Sequence, residues 1–184
     1  MKNSLWFGQL LTIGLIVLFG IIAFTHTKKT EEITDEIVID FDKDGTNDIL
    51  EIVNNTKALL EEQSNDYVYT DIIWLVLKDT GYDFKSMINK DINDNKDYYG
   101  INIPNEKVDY RNFENIKKYF QKYITVIDDD KYQDGDIIFY KNDIGIYIEN
   151  SIVHLKENTF VKEDLNDEYV YSHYRFILHE AKML

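Results

Sequence analysis

Between residues 40 and 51 the chain reads Asp40-Phe-Asp42-Lys-Asp44-Gly45-Thr-Asn-Asp48-Ile-Leu-Glu51. Counted from Asp40, carboxylates fall at positions 1, 3, 5, 9 and 12 and glycine at 6, which fills the twelve-residue calcium-loop template. A hard cation needs several oxygens converging at about 2.3–2.6 Å, and glycine makes the sharp turn that brings them together. Calcium held by Asp40, Asp42, Asp44, Asp48 and Glu51 is therefore the expectation. The alternative is an acidic turn that only caps the helix after it. Glu36–Ile39 is too short and too β-branched to be an entering helix. A single loop followed by a helix, unpaired, suits the weak binding that millimolar calcium outside a cell permits.

The remaining reactive side chains are sparse. There is no cysteine, so disulfides and a thiolate nucleophile are both ruled out. Four histidines are present, and no two of them have metal-binding spacing. His154 ends an apolar run, His173 stands beside Tyr174 and Arg175, and Thr70 and Ser172 offer hydroxyls. Neither a glycine-rich phosphate loop nor a G-x-S-x-G elbow occurs.

The elements that must position these groups can be read from periodicity. Residues 132–155 alternate apolar runs with turn formers: Asp136–Tyr140, Ile144–Ile148 and Ile152–Leu155, separated by Lys141-Asn142-Asp143 and Glu149-Asn150. This is an antiparallel meander, and Gly145 inside a strand marks a close backbone approach or a bulge. Ile49–Gln63 has the spacing of an amphipathic helix, and Tyr67–Asp83 reads as a buried central helix stopped at Gly81. A helix fragment and a polar loop fill 84–107, and a second amphipathic helix covers Asn115–Tyr123. Asp128–Asp130 is a solvated acidic turn, Glu163–Glu168 an acidic loop, and Tyr169–Leu178 a last strand.

Leu5–Thr25 is 21 residues without a charge, long enough to cross the ~30 Å hydrocarbon layer. A cleaved signal peptide and a buried core helix are the competing readings, but an A-x-A-like cleavage site is missing. The segment is expected to be an uncleaved membrane anchor. The formal net charge of −14 repels phosphates, which excludes nucleic acid as a partner and suits cations or basic partners.

Several blocks carry a family resemblance. "GDIIFYKNDIGIYIEN…IVHL" is similar to the core of the NlpC-type papain-like cell-wall peptidases and amidases. "VYTDIIWLVLKDTGYDF", "INKDI", "VDYRNFENIKKYF", "YQDGDIIFYKNDIGI" and "YSHYRF" together resemble, in order, the YijF-like bacterial domain of unknown function within that clan. The resemblance runs from about residue 67 to 176 and implies an α+β papain-like fold, a buried N-terminal helix packed on a small antiparallel sheet. It places Tyr69 where the family has its nucleophilic cysteine and Asp143 where it has the general-base histidine. His154 takes the third polar position. Thr70, Asp71, Asp109, Arg111, Gly135, Asp136, Gly145 and Arg175 match framework positions.

The expected organisation is 1–29 as anchor, 30–66 as the calcium-loop segment with its amphipathic helix, and 67–184 as the papain-like domain. The resemblance implies a catalytically degenerate relative of cell-wall enzymes, tethered to the membrane by its N-terminal helix and facing outward. Its partners would be peptidoglycan peptides or another envelope protein. An active hydrolase with relocated residues centred on His154, and a structural partner or antagonist of an active relative, are the alternatives. Tyr69 is expected to fill the old nucleophile position, its hydroxyl reaching Asp143, His154 or water.

Overall fold

The computed structural model describes residues 39–62, 66–127 and 131–178, all of which belong to one compact unit. The proposed anchor Leu5–Thr25 and the Asp128–Asp130 turn lie outside the described residues. Among the described residues no helix is long and apolar enough to cross a membrane.

Helix α1 (Asp48–Leu59) opens where Asn47 Oδ1 accepts the Ile49 N–H at 2.9 Å and turns Ile52, Val53 and Leu59 into the core. The segment read as one long buried helix is shorter and tighter. A 3₁₀ turn, Tyr69–Asp71, leads into the five-residue helix α2, Ile72–Val76. The 3₁₀ start has a local cause: the Asp71 carboxylate accepts the Val68 N–H, and the Asp71 N–H donates to the Val68 carbonyl. The helix stops at Val76, capped by Leu77, five residues before the expected stop at Gly81, which takes φ +69° in the turns that follow. Asp83 caps α3 (Phe84–Asp94) through Ser86, and the single turn α4 (Lys96–Tyr99) follows. Helix α5 (Phe113–Tyr123) buries Ile116, Tyr119, Phe120 and Tyr123, one stripe at helical spacing.

Six strands form one fully antiparallel sheet: β1 Ile124–Ile127, β2 Ile137–Tyr140, β3 Ile144–Ile148, β4 Ser151–Lys156, β5 Thr159–Asp164 and β6 Val170–Leu178. Their spatial order is β1-β6-β2-β3-β4-β5, with the last strand in sequence inserted between β1 and β2. Two strands are corrections to the sequence reading. The stretch read as an acidic loop begins in β5, an edge strand, and β1 continues directly from α5. His154 lies inside β4 rather than at a strand end.

The helices cover one face of the sheet. Phe120, Phe139 and Tyr174 pack ring against ring at 5.2–5.4 Å. Gly145 on β3 faces His154 on β4 in register. A Cβ at Gly145 would stand 2.5 Å from the Ile152 side chain and 2.9 Å from the Val153 carbonyl, so the close approach expected of this glycine is real.

Candidate functional site

Asp143 occupies the turn between β2 and β3, its backbone carbonyl accepting the Tyr140 N–H at 2.9 Å. Its carboxylate is divided: Oδ1 accepts the Ile144 N–H at 2.8 Å, and Oδ2 lies 2.7 Å from His154 Nδ1 on the adjacent strand. The far ring nitrogen, Nε2, is 3.3 Å from Glu163 Oε2 on β5, and Glu163 also pairs with Lys156. His154 is thus bracketed by two carboxylates. Its side chain is 16% exposed and that of Asp143 27%, so the pair is partly shielded from water. The hydrogen bond to Asp143 raises the His154 pKa above its ordinary value, with Glu163 adding to it against the opposing effect of burial. The ring favours the imidazolium form, in which both nitrogens donate.

The Tyr69–Asp71 turn rests against β4. Tyr69 is partly buried, with its ring 6.1 Å from that of Phe113. The expectation of a hydroxyl bonded to Asp143 or His154 is not met. Among the described residues the Tyr69 hydroxyl has no hydrogen-bond partner, and Asp143 acts on it only through its charge. Burial pushes the phenol pKa up, and the charges of Asp143 and Glu114 push it further. The Tyr69 hydroxyl therefore holds its proton more firmly than a free phenol, and His154 beside Asp143 holds its proton more firmly than a free imidazole.

Behind Tyr69 the framework is tightly bonded. Asp71, 0% exposed, accepts from Trp74 Nε1 and Arg111 Nε, both at 2.8 Å. Thr70 donates its hydroxyl to the Arg111 carbonyl at 2.9 Å. Asp109 accepts the Asn105 N–H, and its own carbonyl accepts from Asn115. On the sheet, Arg175 grips Asp136 with Nε and Nη2, each 2.9 Å from a separate oxygen. His173 Nε2 lies 3.3 Å from the same carboxylate, and the His173 ring stacks on Tyr132. These residues hold the site without entering it. Glu163 was missed by the sequence reading because its segment was taken for a loop, and Thr159–Asp164 carries no apolar alternation that would mark it as a strand.

The acidic loop is ordered by its own backbone. Asp40 accepts the N–H groups of Asp44 and Gly45, and Gly45 takes φ +95°. Asp40, Asp42 and Asp44 each place an oxygen within 4.8 Å of the others. Asp48 and Glu51 stand beside this triad rather than within it. Asp48 is fully buried and accepts the Phe41 N–H. Burial, opposed by that hydrogen bond and reinforced by the three aspartates, lifts the Asp48 pKa to about 6. Glu51 Oε2 is buried and has no hydrogen-bond partner among the described residues. The loop is docked on the domain: the Phe41 ring meets Tyr82 at 5.5 Å, and a Cβ at Gly81 would clash with Asp42.

These features define an α+β protein in which the 3₁₀ turn bearing Tyr69 rests against the strand that carries His154. Residues 61–176 match the family model described as Domain of unknown function (DUF1287), and the chain belongs to that family. No curated protein and no solved structure matches it. The matched region takes in the Tyr69, Asp143 and His154 positions and begins after the acidic loop.

Proposed function

We propose that this chain is a catalytically degenerate papain-like protein of the NlpC type, near the YijF-like branch, serving as a binding or interaction module at the bacterial envelope. One observation carries the reading: Asp143 and His154 form a closed ion pair beside a tyrosine whose hydroxyl is driven away from ionisation. By the family resemblance, histidine belongs at 143 and cysteine at 69. The scaffold that would hold them, Asp71–Arg111 and Asp136–Arg175, is fully bonded. Loss of the reacting groups on an intact frame fits retention for binding. Anchoring through Leu5–Thr25 and an extracytoplasmic location belong to the same proposal.

Calcium at the acidic loop is the second part. Three aspartate oxygens already lie close together, Glu51 Oε2 lacks a partner and Asp48 is buried among like charges, and a divalent cation would answer all three. Asp40, Asp42 and Asp44 would hold the ion, with Asp48 and Glu51 completing the set. It would supply positive charge that fastens the loop to α1.

Titration of soluble wall stem peptides into the purified chain tests the binding role. Saturable binding that weakens in Tyr69→Ala and Asp143→Asn supports it. Absence of binding removes wall peptides as ligands and leaves the protein-partner reading.

A further inference from the structure

A second surface lies away from the Asp143–His154 pair, between the end of α2 and the start of α3. Trp74, Lys78, Gly81, Tyr82, Asp83 and Lys85 line an open groove of about 340 Å³ there, at the lower end of the roughly 300–1,000 Å³ typical of small-molecule sites. Lys78 comes from the turns after α2 and Lys85 from the first turn of α3. Among the described residues neither has a carboxylate within ion-pair distance. This is notable in a chain with 34 acidic and 20 basic side chains. Asp42 of the acidic loop stands against Gly81 at one edge of the groove, and the two acids beside Lys85 are committed to other partners. Asp83 takes the N–H and hydroxyl of Ser86, and Asp71 is filled by Val68, Trp74 and Arg111.

The Lys85 ammonium sits 3.2 Å from the centre of the Trp74 ring and 5.3 Å from that of Tyr110. A cation over an indole face gains about 0.5–2 kcal/mol, but the ring brings no counter-charge, and the ammonium has three donors to satisfy. We propose that this groove binds an oxyanion, a carboxylate or a phosphate ester, between Lys78 and Lys85 beside Trp74. Burial pushes the Lys85 pKa down and Arg111 adds to this, while the charges of Asp71 and Asp83 oppose it. An oxyanion entering the groove supplies the counter-charge that the ring does not. Trp74 reports the event, because its indole N–H is fixed on Asp71 at 2.8 Å directly under the site.

The test is a nuclear magnetic resonance titration of the full chain, following the Trp74 indole N–H. The only other tryptophan is Trp6, so Trp6→Phe settles the assignment. The probes are inorganic phosphate, N-acetylalanine, and N-acetylalanine amide as the uncharged control. The expected result is a saturable shift with phosphate or N-acetylalanine and none with the amide. Affinity falls about tenfold, or 1.4 kcal/mol, in Lys78→Met/Lys85→Met, and is kept in Lys85→Arg and in Lys90→Met, whose lysine pairs with Asp94 outside the groove. Response to only one of the two anions identifies the ligand class. An unmoved indole resonance, an equal response to the amide, or undiminished binding in the double variant overturns the proposal. The fold of each variant is checked from its amide spectrum.

Discussion

Asp143 and His154 face each other across neighbouring strands with 2.7 Å between Oδ2 and Nδ1, and this pair has the polarity opposite to the one the family resemblance implies. There the strand-opening position carries the base; here it carries the acid, and the histidine sits one strand later. The contact survives while the roles are exchanged. His154 is held between the carboxylates of Asp143 and Glu163, which favour its charged form.

The first prediction concerns pH. The folded-state pKa of His154 is raised above the reference value near 6.5, so its protonated form stabilises the fold. That stabilisation is complete below the unfolded pKa and is lost as pH rises through the folded pKa. The His154 ring resonances should titrate above 6.5 in the folded chain. Asp143→Asn should bring the midpoint down and flatten the pH dependence of stability above pH 6.5. A midpoint below 6.5 in the unmodified chain would contradict the geometry.

Calcium should act on thermal stability. A cation bound only by the folded state contributes RT ln(1 + [L]/Kd), about 1.4 kcal/mol at ten times Kd. Differential scanning calorimetry should therefore show a rise in Tm with millimolar calcium that vanishes in Asp40→Ala/Glu51→Ala. An identical rise in that variant would reduce the loop to a helix cap.

Gly145→Ala should be costly for a steric reason. The new methyl would press on Ile152 and on the backbone carbonyl of Val153, on the strand that carries His154. Overpacking of this kind costs about 1–3 kcal/mol, measurable as a lower urea midpoint, and the His154 resonances should shift with it.

Arg175→Ala should be worse. It leaves the Asp136 carboxylate, 1% exposed, with the Gln133 N–H and the weaker contact to His173. Removing one partner of a buried pair costs about 3–5 kcal/mol. Urea denaturation of the variant against the parent chain checks this, and a loss under 1 kcal/mol would mean the pair is not shielded as described.

Much of the sheet was legible because β2, β3 and β4 are β-branched runs separated by two- and three-residue turns, and because the burial of β2 and β3 is nearly continuous. β5 was hidden: of its six residues only Phe160 is buried, and the strand ends in the charged run Lys162-Glu163-Asp164. As an edge strand it needs no apolar face of its own. With β5 unread, the second carboxylate on His154 could not be foreseen. The helix at Tyr67–Asp83 was overestimated because an apolar run reports burial, not length; tertiary packing ends α2 at Val76 while Leu77 and Thr80 stay buried in turns. The Tyr69 position was found through the resemblance. Its unbonded hydroxyl is a matter of side-chain geometry, which spacing along the sequence does not encode.

The most direct measurement is turnover. Purified chain incubated with peptidoglycan fragments and followed by mass spectrometry should release no product, in keeping with a tyrosine and an aspartate where the resemblance places the cysteine and the general-base histidine. Product formation that disappears in His154→Ala would contradict the central claim and establish a hydrolase built around His154.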